Sequence, residues 1–243
     1  GDKWGWTSLN LILSFVIAFL LVTAFVIRSQ RHSAPLFDLG LFKLKTFSVG
    51  MIGTVFFMVA FFSWLISLPT FIQSVWGWSV LKTGFAIAPA PLLTAFVSPP
   101  AGRLAERIGN GPILTIGGFL GATGLALHLA FTNSQPDYFM GIFIPGILIG
   151  FSAGFGFAQL IGAAMRDVPR DQFGMAGAGR TTIFQLSLAL GVALAFTIIG
   201  RPDSLQQALD GIQATWMLGI GCYIAQILLF AFFGGSDKTQ KVK

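Results

Sequence analysis

Charge and reactive groups are scarce in this 243-residue chain, and each scarcity removes a class of function. There is one cysteine, Cys222, so no disulfide can close within the chain. A lone apolar thiol of this kind is usually inert packing. The two histidines, His32 and His128, stand far apart and with no further cysteines near them, so no His/Cys metal cluster can be composed. Neither a phosphate loop nor H-E-x-x-H is present. No lysine falls at membrane depth, which excludes a retinal Schiff base. No Asp or Glu falls there either. A proton-coupled carrier normally needs an intramembrane carboxylate; were the chain part of one, that group would lie outside it.

What remains is apolar. The chain is 54% hydrophobic and 10% charged, with a mean hydropathy of +0.78, a balance that a soluble domain could not cover with polar surface. Seven apolar segments are predicted as helices, over 7–27, 47–68, 80–100, 112–131, 138–164, 181–199 and 212–233. Nearly all approach or exceed the ~20 residues needed to cross ~30 Å of hydrocarbon. The first is no signal peptide, because it has neither a basic leader nor a small-residue cleavage site. The fold class expected is an all-α polytopic membrane protein with seven transmembrane helices.

Basic residues fall on one side of these segments. Arg28, Arg31, Lys43, Lys45, Arg103, Arg107, Arg166, Arg170, Arg180, Lys238, Lys241 and Lys243 share a side, leaving Lys3, Lys82 and Arg201 on the other. The positive-inside rule then puts the first residues outside and the tail in the cytoplasm. A pI near 9.9 is therefore a topology signal, and nucleic acid is not an expected partner. Trp4, Trp6, Trp76, Trp78 and Trp216 lie at expected outer ends, where an indole prefers the headgroup level, and Trp64 lies deeper.

The connections expected inside are 28–46, 101–111 and 165–180, and outside 69–79, 132–137 and 200–211. Gly146, Gly150 and Gly154 form a ladder on one face of the fifth segment, and Gly117, Gly121 and Gly124 lie in the fourth. Small residues let helix backbones approach in lipid, so close packing is the expected role. Pro89, Pro91 and Pro145 are expected to bend or loosen helices, their freed carbonyls being satisfied by neighbours. Gln159, Gln185, Gln226 and His128 are the polar residues in or near spans. Each faces the bundle interior or a cavity, or else makes an interhelical hydrogen bond.

Two motifs mimic enzymes. Gly150-Phe151-Ser152-Ala153-Gly154 matches the nucleophile elbow G-x-S-x-G, but that motif needs a strand-to-helix turn and here lies within an apolar helix. A dinucleotide fingerprint fails as well, because Gln159 and Thr182 stand at the third-glycine positions after Gly154-x-Gly156 and Gly177-x-Gly179. No enzyme activity and no cofactor are expected.

The run Leu68-Pro69-Thr70-Phe71-Ile72-Gln73-Ser74-Val75-Trp76-Gly77-Trp78-Ser79-Val80-Leu81-Lys82-Thr83-Gly84, followed by Pro89, is specific. It resembles the L-P-x-[FY]-[IL]-Q-x-V-x-G-x-S-x-L-x-x-G stretch of the fourteen-span drug:proton antiporters, a branch of the major facilitator superfamily. Pro35-Leu36-Phe37-Asp38-Leu39, with Phe42-Lys43 and Phe47, resembles that family's cytoplasmic linker. Trp4-Gly5-Trp6 resembles its external approach to the eighth span, and Gln185 with Ala189-Leu190-Gly191-Val192-Ala193 its penultimate helix. The stretch Gly102, Arg103, Leu104, Ala105, Glu106, Arg107, Ile108, Gly109 resembles the superfamily's cytoplasmic loop motif G-x-L-[AS]-D-R-x-G-R-[RK]. In that family the acid and bases latch the cytoplasmic side. Glu106 replaces the usual Asp here, and Asn110-Gly111 stands where the trailing bases would be, which weakens such a latch.

The resemblance implies one linker span and cytoplasmic linker over 1–46, the C-terminal six-helix half of the transporter over 47–233, and a cytoplasmic tail over 234–243. Gly1 is not an initiator Met, and the first half of the transporter is expected to be missing from this sequence. The implied function is proton-driven efflux of hydrophobic or amphipathic, often cationic, compounds across the cell's inner membrane. Trp64, Phe155, Gln159, Phe184 and Gln185 are the expected cavity residues. The implied partners are the lipid bilayer, the substrate, protons and the missing N-terminal half. Two other readings share these residues: a dedicated exporter of an antibiotic, siderophore or lipid, and a non-transporting scaffold or decayed half-carrier.

Overall fold

A computed structural model describes residues 9–31 and 39–233. Trp4, Trp6, Lys3, His32, Pro35, Asp38 and the tail lysines lie outside the described residues. Among those described, every regular element is helical. The long helices are α1 (Leu9–Arg31), α2 (Lys45–Ser74), α3 (Val80–Ile87), α4 (Pro89–Ile108), α5 (Asn110–Phe131), α6 (Ile144–Met165), α7 (Phe173–Ile199) and α8 (Leu205–Phe233). Six helical stretches, starting at Lys45, Val80, Asn110, Phe139, Arg170 and Leu205, are long and apolar enough to cross a membrane. At ~1.5 Å per residue, α1 with its 23 residues spans a comparable distance.

The described helices run further than the predicted segments, so the connections shrink. The second segment, expected to stop before Pro69, continues to Ser74 with Pro69 inside the helix. A membrane helix tolerates this where hydroxyls bond nearby carbonyls, as Thr70 Oγ1 does to Ile66 O at 2.8 Å. The loop expected over 101–111 is helical through Ile108, and Gly109 alone makes the turn into α5. Its φ of +89° lies in the left-handed region, which favours glycine. Helix α7 begins at Phe173 and α8 at Leu205, well before the expected 181 and 212.

The prolines act as expected at two places. The third segment divides at Ala88, since Pro89 and Pro91 have no N–H to offer the preceding turn. Ahead of Pro145, residues Phe139–Phe143 form a π turn that leads into α6. The Asp137 carboxylate caps the start of this stretch by accepting from Met140 N at 3.1 Å.

Glycine ladders set which helices touch. A Cβ on Gly150 would lie 2.7 Å from the Ala90 carbonyl oxygen, and one on Gly154 2.6 Å from Val97 Cγ1, so the α6 ladder is the seat of α4. On α5, a Cβ at Gly121 would lie 2.5 Å from the Tyr223 ring of α8, and at Gly124 2.7 Å from Ile149 of α6. Close packing, the expected role of both ladders, is what they do.

Helices α4, α6, α5, α8, α2 and α7 follow one another around an arc, with α2 also packed on α6. The arc stays open between α4 and α7, which share no extensive contact. Accordingly 17% of the α7 span and 22% of the α4 span are buried, against 56% for α2 and for α6. The buried stripe of α7 (Ala176, Gly179, Ser187, Gly191, Ala195) is narrow and small, and it lies on α2. Below, the end of the bundle holding Trp76, Thr132 and Gly200 is the tryptophan end; that holding Lys45, Arg107 and Arg166 is the arginine end.

Candidate functional site

The open side of the arc is the candidate site. Gln185 lies at the midpoint of α7 and is exposed, on a face with Ala178, Thr182 and Ala189. Thr181 and Thr182 bond their own helix, to Gly177 O at 2.9 Å and Ala178 O at 3.0 Å. Gln185 has an amide that no backbone carbonyl of its own turn can fully satisfy. In hydrocarbon an unsatisfied polar group costs several kcal/mol, so this face belongs against protein or a water-filled cavity.

Aromatic rings line the α2 side. Phe61 stacks on Phe57 with centroids 5.9 Å apart and meets Phe157 of α6 edge-on at 5.2 Å. It also lies 5.7 Å from Trp64, and its neighbour Phe62 meets Phe184 of α7 at 6.5 Å. Toward the tryptophan end, a narrow cleft lies between α2, α3, α4 and α6, lined by Trp64, Ala86, Ala90, Ile142, Phe143 and Gly146 among others. Its free space of about 10 Å³ is on the order of one water.

Of the expected cavity residues, Trp64, Phe184 and Gln185 lie along the α2 and α7 sides of the arc. Trp64 is 4% exposed and Phe184 half-buried. Phe155 and Gln159 sit elsewhere on α6. A Cβ on Gly117 of α5 would touch Phe155 at 3.0 Å, and one on Gly102 of α4 would lie 3.8 Å from Gln159 Nε2. That Gln159 nitrogen is buried without a hydrogen-bond partner. Sequence reasoning missed Phe57, Phe61 and Phe157. Their spacing at 57 and 61 marks one helix face, but nothing in the sequence says that α6 brings Phe157 to it.

Buried polar groups form two clusters. Trp64 Nε1 donates to His128 Nε2 at 3.1 Å, while His128 Nδ1 bonds the Gly141 carbonyl at 2.8 Å. A carbonyl only accepts, so Nδ1 carries the hydrogen and Nε2 is left to accept from the indole. Trp216 stacks on the imidazole at 5.0 Å and donates to Ser67 Oγ at 2.9 Å. The second cluster holds Ser152 Oγ, Tyr223 OH and Gln226 Oε1, all buried; the Ser152 and Tyr223 hydroxyls face each other without a well-formed hydrogen bond, while Gln226 Nε2 donates to Leu114 O at 3.0 Å. For His128 and Gln226 the interhelical hydrogen bond is thus the observed role.

Trp216 and Trp76 correct an expectation. They are 1% and 8% exposed, not turned to the headgroups. Each indole N–H has a protein partner, Ser67 Oγ for Trp216 and the Asn133 carbonyl for Trp76, so neither needs interfacial water. Trp78 stays half-buried under Lys82, whose Nζ lies 3.7 Å from its ring centroid. Ser152 of the false nucleophile elbow is mid-helix and fully buried.

The stretch Gly102, Arg103, Glu106, Arg107 and Gly109 forms the arginine end of α4 and its turn, so it is a helix terminus and not a loop. Arg103, Glu106 and Arg107 are exposed, and among the described residues Glu106 pairs with neither arginine. Asn110 fills the next position and packs over Gly162 of α6, its Nδ2 2.9 Å from where a Cβ would be.

With six spans, glycine-seated helices and an arginine-rich turn in place, comparison with known proteins decides the family. Residues 1–192 match the family described as Major Facilitator Superfamily. The chain belongs to the Major Facilitator Superfamily. This membership accounts for the multi-pass, all-helical architecture and for the resemblance in the run from Leu68 to Gly84. Among superfamily relatives, an "uncharacterized transporter", YebQ of Escherichia coli, is 34% identical over 197 residues, covering 80% of this chain and 42% of the relative. "Multidrug resistance protein Stp" of Mycobacterium tuberculosis is 30% identical over 203 residues, covering 82% of this chain and 36% of the relative. "Riboflavin transporter RibZ" of Clostridioides difficile is 27% identical over 246 residues, covering 97% and 52% respectively. The chain thus spans between 36% and 52% of the length of these relatives.

Proposed function

We propose that this chain is the C-terminal half of a proton-driven exporter of hydrophobic or amphipathic, often cationic, compounds. The observation that carries the reading is exposed Gln185 at the midpoint of α7, a helix that borders the open side of the arc between α4 and α7. A matching N-terminal half seated on that side would enclose a midplane cavity, and rocking of one half on the other would alternate its access. The name of Stp supports drug export, and relatives about twice as long support a second half. In this reading residues 1–46 are linker span and linker, 47–233 the transporter half and 234–243 the tail.

Phe184 and Gln185 would contact the substrate, joined by Phe61 and Phe157, and by buried Trp64 once the walls of its cleft part. Aromatic faces bind apolar rings through buried area and cations through the ring quadrupole. Phe155 and Gln159 would act one layer back, Gln159 at the α4 seat beside Gly102. The arginine end would face the cytoplasm, as the basic residues there favour. Among the described residues no Asp or Glu lies within the apolar middle of a span, so the coupling carboxylate would be on the N-terminal half.

A second reading keeps the fold and changes the cargo. RibZ, named for riboflavin, aligns with 97% of this chain, which favours a dedicated exporter or importer of one flat heteroaromatic compound. Both readings are tested by ethidium and riboflavin flux in everted vesicles holding the full-length protein. Ethidium accumulation that collapses on adding a protonophore supports drug:proton antiport. Flux of riboflavin alone would replace it with the dedicated carrier, and flux of neither compound would reject both.

A further inference from the structure

His128 lies on α5, which contributes no residue to the cleft between α2, α3, α4 and α6. Yet both of its ring nitrogens bond to walls of that cleft. Nε2 accepts from the indole N–H of Trp64, which is itself a lining residue. Nδ1–H donates to Gly141 O, in the π turn that supplies Ile142 and Phe143 to the lining. The imidazole is fully buried and held from behind by Trp216 at 5.0 Å. Without this bond the Trp64 N–H would be a buried donor with no acceptor, and the indole would turn to find one. π turns inside α-helices are rare and often mark functional positions.

We propose that His128 is a positioning residue: it fixes the Trp64 indole and the 139–143 turn against each other across a cleft closed to about one water here, and so sets how Trp64 is presented to a flat aromatic cation when the walls part. This rests on the transport reading above. His128 itself does not touch the substrate. An imidazole is suited to the task because it is short, rigid and able to donate and accept at opposite edges. Phenylalanine keeps the stacking on Trp216 but loses both hydrogen bonds. Glutamine keeps an acceptor and a donor on one flexible stem.

The test uses the full-length protein, with ethidium as probe and ¹⁵N-indole tryptophan NMR as a readout independent of transport. The Trp64 signal is assigned by its loss in Trp64→Phe. In His128→Phe the Trp64 indole signal should shift or broaden, KM for ethidium efflux should rise about five-fold and kcat should stay within about two-fold. His128→Gln should restore the indole signal and most of KM. Ethidium should move the Trp64 signal in the wild-type protein. An unchanged indole signal in His128→Phe overturns the positioning role. A shifted signal with unchanged KM, or no response of Trp64 to ethidium, overturns the link to substrate. Equal loss of KM and kcat in both variants would reduce His128 to a packing residue. If the wild-type protein moves no ethidium, the transport reading fails on its own, and the NMR arms still decide whether His128 orients Trp64 and whether ethidium reaches it.

Discussion

The carbonyl oxygen of Ala90 lies 2.7 Å from where a Cβ on Gly150 would stand, so α4 rests directly on the backbone of α6. Thr94 Oγ1 spans the same contact, donating at 3.0 Å toward both Ala90 O and Gly150 O. A methyl group cannot be accommodated against a backbone oxygen at that distance without separating the helices. Gly150→Ala should therefore cost about 1–3 kcal/mol. Gly221→Ala on α8, where nothing lies within 4 Å, should be neutral or stabilising by up to about 1 kcal/mol. Thermal unfolding in detergent compares the two, and equal Tm values would contradict this packing of α4.

Tyr223 presents the opposite case, a buried group whose polar atom contributes little. Its hydroxyl faces Ser152 without a well-formed hydrogen bond, while its ring fills the space over Gly121 and meets Phe57 at 6.2 Å. Tyr223→Phe should change Tm little, because only a poorly formed contact with Ser152 is removed. Tyr223→Ala should cost about 3–5 kcal/mol through the cavity it leaves. A large loss in Tyr223→Phe would indicate that Ser152 or a water satisfies the hydroxyl.

Exposure of Gln185 at mid-span leads to a chemical prediction. With Cys222 replaced by serine, a cysteine at position 185 in the full-length protein should react with a small hydrophilic maleimide. A cysteine at Phe119, equally deep in its own span and 66% exposed but on an apolar surface of α5, should not. Gln185→Leu should abolish or reshape efflux. Protection at 185 together with unchanged efflux would remove α7 from the cavity.

Orientation can be read the same way. Cysteines at Glu106 and Arg107 should react with an impermeant reagent only in everted vesicles, and cysteines at Asn133 and Asp203 only in intact cells. The reverse pattern would place the arginine end outside and overturn the charge argument.

The chain's membrane character, its seven apolar segments and the packing role of Gly150 and Gly154 were legible in the amino-acid order. These depend on local quantities: the length of an apolar run and small residues recurring every four positions on one helix face. The family resemblance was equally local, carried by the run from Leu68 to Gly84. Helix ends were less legible, because the stretches 101–108 and 173–180 carry arginines and glycines that read as loop, while an uninterrupted backbone ladder continues the helix through them. The candidate site was legible only in part. Trp64, Phe184 and Gln185 stood out by type and depth, but the ring cluster of Phe57, Phe61 and Phe157 depends on how α6 is rotated against α2. The two bonds of His128 depend on α2, α5 and α6 meeting at one level. Periodicity within a helix states which residues share a face; only the packed bundle decides which face meets which, since that choice is made by contacts between residues distant in sequence, as Trp64 and His128, 64 positions apart, are.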